Sequence, residues 1–165
     1  MHPAAADTLV DAVMGLAQPR DGEHLVDLYA GVGLFSGVWG SRTGGKVDLV
    51  EGDRRAAADA EQNLADLDGV AVHATSVERF VRMTEVRPDV VVLDPPRVGA
   101  KQAVVDPVAA WGARAVVYVA CDPAALARDI SYFAASGYRL TQLRAFDLFP
   151  MTHHVECVAL LEPTG

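Results

Sequence analysis

Cys121 lies in VVYVACDPAALARDI, Val116 to Ile130, where a β-branched run ends and a helical pattern begins. Asp122 is suited to cap that helix and Pro123 to fill its first turn. The thiol is therefore expected beside unsatisfied backbone N–H groups, whose field favours thiolate, the form that attacks carbon. The competing reading is a small buried hydrophobe, since free cysteines are among the most buried residues. Asp94, in VVVLDPPRVGA, closes another apolar run and is followed by two prolines that remove backbone donors and stiffen the loop. Carboxylates at strand ends commonly line ligand clefts, with a structural turn as the alternative. Glu156, in FDLFPMTHHVECVALLE, opens or enters a last apolar run just after His153 and His154. That trio invites a metal reading, but its spacing matches no helical His motif, so no metal is expected. Glu156 is read instead as a general base.

A binding site is suggested further upstream. In LVDLYAGVGLF, Gly31 and Gly33 allow a tight turn and a close approach of backbone to ligand at a helix N-terminus. A GxG after a strand fits a dinucleotide fold, a nucleoside-methionine cofactor site or a plain turn, and Ser36, where a dinucleotide fingerprint wants its third glycine, lowers the first of these. Glu51 ends the next run, VDLVEGD, about twenty residues on, the place for a carboxylate that accepts both ribose hydroxyls. Ser76, in HATSVERF, is placed either to meet an adenine edge or to cap a helix.

These residues need a frame. Strand-like runs at Leu25 to Tyr29, Val47 to Val50, Val70 to His73, Val90 to Leu93 and Ala115 to Ala120 alternate with helical patterns. The helices are predicted near Ala4 to Leu16, at Leu34 to Ser41, Arg54 to Asp66 and Val77 to Met83, near Gln102 to Trp111, and at Pro123 to Ser136. Two further strands are predicted near Tyr138 to Phe146 and Val155 to Leu161. This alternation predicts a Rossmann-like α/β fold, one mostly parallel seven-stranded sheet with helices on both faces, with ligands beyond the carboxyl ends of the strands. With 165 residues the chain is expected to be one domain. Its apolar runs are too short to span a membrane and no signal sequence opens it, so a cytoplasmic location is expected. The two cysteines suit free thiols in a reducing compartment. A net charge of −8 argues against broad electrostatic binding of nucleic acid. A local basic patch remains open, because arginine supplies twelve of the fourteen positive charges.

Together, the ordered segments DLYAGVGLF, LVEGD, LDPPRVGA, YVACDPAALARD and FDLFPMTHHVE resemble the catalytic domain of the RNA 5-methyluridine methyltransferase family, from about Pro3 to Leu161. The glycine turn is shared with most class I methyltransferases; the cysteine segment with the FP...HVE segment is specific. The resemblance implies S-adenosyl-L-methionine as cofactor and a uridine in rRNA or tRNA as substrate, with Cys121 as nucleophile and Glu156 as base. It also implies cofactor contacts at Tyr29, Leu34, Glu51, Ser76 and Asp94, with Asp94 between cofactor and uracil. A monomer is expected.

This chain departs from the family pattern at Pro96, where alanine is usual, and at Asp122, where asparagine is usual. The charge of Asp122 beside Cys121 is expected to oppose thiolate formation. Leu34 replaces a polar residue, which leaves only its backbone for the cofactor. The family's Phe-Gln segment and RNA-binding portion would precede His2, so the chain reads as an isolated C-terminal catalytic domain. Two other readings stand beside this one: a methyltransferase of the same fold acting on an exocyclic nitrogen, which would not need Cys121 or Glu156, and a cofactor-binding fragment without catalysis.

Overall fold

Short, fully apolar runs bounded by turn residues can satisfy their backbone groups only by pairing with one another, and the chain does so in one sheet. The computed structural model describes residues 2–148, 151–152 and 154–165. In chain order the elements are α1 (Pro3–Ala17), β1 (Leu25–Leu28), α2 (Leu34–Thr43), β2 (Val47–Glu51), α3 (Arg54–Asn63), β3 (Val70–Ala74) and α4 (Val77–Met83). They continue with β4 (Val90–Leu93), α5 (Gln102–Ala110), β5 (Ala115–Ala120), α6 (Pro123–Ala135), β6 (Tyr138–Phe146) and β7 (Glu156–Pro163). The strand order is β3-β2-β1-β4-β5-β7-β6. The first five strands run parallel, and β7 pairs antiparallel with both β5 and β6.

All residues of β1, β4 and β5 are buried, as a sheet covered on both faces requires. Alternate side chains feed two cores. Val26, Leu28, Val91, Leu93, Val116 and Tyr118 pack with residues of α4, α5 and α6. Leu25, Val90, Val92, Val117 and Val158 pack with α1 and with Phe35 and Trp39 of α2. Each fully buried valine or leucine contributes about 1.5–3 kcal/mol. The element boundaries agree with the pattern in the sequence except at a few ends. Helix α3 stops at Asn63 rather than Asp66, because Leu64 leaves helical geometry (φ −110°, ψ 13°) and is buried against Leu49 and Ala60. Strand β1 stops at Leu28 because Tyr29 takes a left-handed φ of 58° into the glycine turn. No described helix is long and apolar enough to cross a membrane.

The strand order reverses at β1 and β4, where successive connections leave on opposite faces of the sheet and a crevice opens between them. The carboxyl ends of the parallel strands and the start of antiparallel β7 lie along this one edge.

Candidate active site

Tyr29 and Gly31 follow β1, Glu51 ends β2, Ser76 follows β3, Asp94 follows β4, and Cys121 follows β5. All of these predicted residues reach the same edge. Glu156 arrives there from the other direction, as the first residue of β7. Its placement follows from register. The β5–β7 register ends with Ala120 against Cys157, so Cys121 and Glu156 lie one residue beyond the last pair, at the same end of the two strands. The two are near enough for the Glu156 charge to act on the Cys121 thiol. Cys121 is half-buried and Cys157 is buried; both thiols are free.

The helix entry forms as expected: Asp122 caps α6 by accepting from the N–H groups of Ala124 (2.9 Å) and Ala125 (3.4 Å), with Pro123 in the first turn. Its consequence for the thiol differs from expectation. Burial, and then the charge of Glu156, push the Cys121 thiol up; local backbone and the Arg97 guanidinium pull it down, and Asp94 adds to the rise. Expected thiolate stabilisation is thus outweighed by desolvation and by a carboxylate brought from β7. The main opposing charge is Glu156 rather than Asp122, whose carboxylate is turned onto the helix N-terminus.

Burial pushes Asp94 up to about 7, with further contributions from Glu156 and Asp27. Asp94 is nonetheless exposed at the end of β4, so solvent there moderates the rise. Burial also raises Glu156. Asp27, in the middle of β1, is fully buried and is pushed up to about 7 by desolvation, against a hydrogen bond from Ser36 Oγ to its Oδ2 (2.6 Å) and with the charge of Glu51 adding to the rise. Sequence reasoning passed over Asp27, although an acid inside the apolar run LVDLY was its signal. Ser36, read only as a missing glycine, is its partner. Arg97, part of the DPPR segment, was also missed as a group acting on Cys121. It approaches the His154 ring at 3.1 and 3.2 Å.

At the glycine turn the two glycines have different reasons. Gly31 (φ 58°) has open space where a Cβ would stand, and its N–H donates to Glu51 Oε1 (2.8 Å). Gly33 (φ 91°) faces Leu64, whose Cδ1 would lie 2.8 Å from an added Cβ. Its need for glycine is therefore one of packing as well as of turn geometry. Glu51 Oε2 accepts from Asp53 N–H at 2.7 Å, so its carboxylate holds the turn while its remaining lone pairs stay available for hydroxyl donors. Ser76 caps α4 by accepting from Arg79 N–H (3.1 Å), and its own proton is left to donate. Leu34 begins α2 with its side chain exposed, and Tyr29 packs on the core with its hydroxyl buried.

A nucleoside-methionine cofactor fits this set. Asp27 Oδ1 is buried without a hydrogen-bond partner. Asp27 also interacts electrostatically with both Glu51 and Asp94. Three neighbouring carboxylates suit a ligand carrying positive charge and a diol, as S-adenosyl-L-methionine does with its sulfonium, ammonium and ribose. Among the described residues no group of three or more His, Cys, Asp or Glu is arranged to hold a metal ion; His153, considered for one, lies outside the described residues.

A family model described as tRNA (Uracil-5-)-methyltransferase matches residues 4–164. The chain is 53% identical over 168 residues to an uncharacterized RNA methyltransferase of Streptomyces avermitilis, covering 100% of this chain and 39% of that protein. It is 39% identical over 171 residues to the 23S rRNA (uracil(1939)-C(5))-methyltransferase RlmD of Acidithiobacillus ferrooxidans, covering 98% of this chain and 38% of the relative. Among solved structures, it matches the tRNA (uracil-54, C5)-methyltransferase of Pyrococcus abyssi in complex with S-adenosyl-L-homocysteine at a TM-score of 0.78 and 32% identity, over 95% of this chain and 38% of that one. The chain spans less than two fifths of the length of these proteins. A match along nearly the whole sequence, on a class I methyltransferase fold whose cleft gathers a thiol and carboxylates at one edge, establishes that the chain belongs to the tRNA (uracil-5-)-methyltransferase family.

Proposed function

We propose that this chain is a catalytic domain that methylates carbon 5 of a uridine in rRNA or tRNA, with S-adenosyl-L-methionine as donor and a transient bond between Cys121 and carbon 6. The observation that carries this reading is that Cys121, just past the end of β5, meets Glu156, the first residue of β7, and Asp94 at one edge of the sheet. An amino-methyltransferase would have no use for a thiol and a carboxylate brought together in this way. Tyr29, the backbone of Gly31 to Leu34, Glu51, Ser76 and Asp94 would hold the cofactor.

Carbon 5 of uracil is a weak nucleophile until carbon 6 is saturated. Asp94, raised by burial and acting on the thiol, is placed to take the Cys121 proton, and Glu156 is kept for a later step. Thiolate Sγ then bonds to carbon 6, and the ring electrons move onto carbon 5 and the neighbouring carbonyl. Protonated Asp94 can donate a hydrogen bond to that developing oxyanion. When bound, S-adenosyl-L-methionine supplies the methyl group to carbon 5. Glu156 next removes the surplus carbon 5 proton; the carbon–sulfur bond breaks, Cys121 leaves as thiolate, and the double bond returns. Reaching the base requires that it be unstacked into the cleft.

The division of labour is testable on a denaturing gel with uridine-containing RNA. Cys121→Ala should form no covalent protein–RNA complex and lose turnover by several orders of magnitude. Glu156→Gln should accumulate the complex after methyl transfer, since elimination stalls. Turnover retained by Cys121→Ala would remove the nucleophile and with it this reading.

A further inference from the structure

Beside the nucleophile, on the α5 and α6 side, an open cleft of about 570 Å³ is lined by Arg97, Val98, Lys101, Asp122 and Arg128. It shares Arg97 and Asp122 with the wall of Pro95, Pro96 and Tyr118 that lies beneath Cys121. The chain carries a net charge of −8 and only two lysines, Lys46 and Lys101, yet three cations meet here. Among the described residues neither Arg97 nor Lys101 has a carboxylate partner. Arg128 is fixed by Asp129 (3.0 Å) and by the carbonyl of Val98 (2.7 Å). The single carboxylate of the lining, Asp122, is turned to the N–H groups of Ala124 and Ala125.

Lys101 is also held in an unusual backbone conformation. Its φ of 70° and ψ of 167° lie where glycine is at ease and a residue with a Cβ is strained. The fold imposes this geometry. Buried Asp129 accepts from the N–H groups of Ala100 (2.8 Å) and Lys101 (3.3 Å) and from the Tyr118 hydroxyl (2.5 Å). The Lys101 carbonyl accepts from Val104 and Val105 as α5 begins. Two residues earlier, Gly99 (φ 82°) is glycine by necessity, since a Cβ there would lie 2.5 Å from Arg128 Nη2. The same turn thus uses glycine at one left-handed position and a strained, exposed lysine at another. Strain retained where glycine would relieve it points to a use for the side chain.

We propose that Lys101, flanked by Arg97 and Arg128, seats a backbone phosphate of the RNA next to the nucleotide under modification. This rests on the function proposed above: a nucleotide whose base stands against Cys121 carries its phosphates to the rim of that cleft, and this is the rim where Arg97 and Lys101 are exposed, with Arg128 fixed behind them. The seat gives an acidic domain a local grip on a polyanion. It acts on affinity and on the position of the base, not on the reacting atoms.

The test is binding of a short single-stranded, uridine-containing RNA to the full chain, measured by fluorescence anisotropy across a salt series, for the parent and for Lys101→Ala, Lys101→Arg and Lys101→Gly. Lys101→Ala should weaken binding several-fold at low salt and flatten the dependence of log K on log salt by about 0.7, the slope of one single-strand phosphate contact. Lys101→Arg should restore both. Lys101→Gly should lose the same affinity while melting at a higher temperature than the parent, which separates loss of charge from loss of fold. Unchanged affinity and slope in the Ala and Gly variants would overturn the seat even where Glu156→Gln still traps the RNA adduct, so the chemistry would stand without it. Absence of any adduct would overturn the chemistry, and the salt slopes would still decide the seat.

Discussion

A cysteine nucleophile is usually pictured with its thiol poised low, but Cys121 is held high by burial and by the carboxylate of Glu156. If Cys121 is the nucleophile proposed above, its deprotonation would wait until substrate and proton acceptor are together, and the free thiol would be slow to alkylate or oxidise. Removing Glu156 should expose the size of its share. In Glu156→Gln the midpoint of the alkylation rate of Cys121 against pH should move down, yet stay above that of an ordinary cysteine because burial remains; an unmoved midpoint would show that Glu156 does not act on the thiol. Cys121→Ala supplies the background from Cys157. At this scale the sequence marked Cys121, Asp94 and Glu156 as candidates, since each ends or opens an apolar run, and the fold brings all three to one edge. It could not show the sign of the shift on Cys121, because that sign is decided by a residue joined only through strand pairing.

At the scale of elements, the glycine turn and the β5–β7 pairing do the positioning. Gly33→Ala should lower stability by about 1–3 kcal/mol, since a left-handed backbone and a collision with Leu64 must both be borne. Gly31→Ala, with open space around its Cβ, should cost only the backbone penalty, about 1–2 kcal/mol. Urea denaturation would show the difference as separate midpoints at equal slope; equal losses would mean that the Leu64 contact relaxes freely. Most elements were legible because helical and strand periods differ so plainly along this chain. Their ends were less so. Where α3 stops depends on Leu64 finding a place against Leu49, and where β7 starts depends on β5 and β6 being there to pair with it.

The whole molecule carries opposite charge economies at the two edges of its sheet. At the ligand edge, Asp27 is raised to about 7, so its contribution is fully favourable below its unfolded value near 3.8 and is lost as pH climbs through about 7. Away from that edge, burial would raise Asp48, but hydrogen bonds from His24 (2.6 Å) and His73 (2.8 Å), with Lys46 nearby, hold it down at about 2. Its contribution is present above 3.8 and is lost as pH falls through about 2. The melting temperature should accordingly fall between about pH 4 and pH 7, and Asp27→Asn should make that limb shallower, the remainder belonging to Asp94 and Glu156, while leaving the acid limb unchanged; an Asn variant with the parent's slope across this range would refute the assignment. The parallel α/β plan was legible because continuous apolar strands alternating with helices admit few other arrangements. The antiparallel insertion was not, because nothing local in Tyr138–Phe146 or Glu156–Pro163 says which of them will lie beside β5. That insertion has a consequence for the chain as it is made. Strand β7 is translated after every other strand, yet it is the one that fills the gap between β5 and β6. Until it emerges, the wholly apolar β5 presents a bare edge and β6 has no strand to join, so the nascent domain passes through an aggregation-prone stage that ends only as Glu156 and the residues after it reach the sheet. The strand that closes the sheet is thus also the one that brings Glu156 to Cys121, so both would be completed by the same step of biosynthesis.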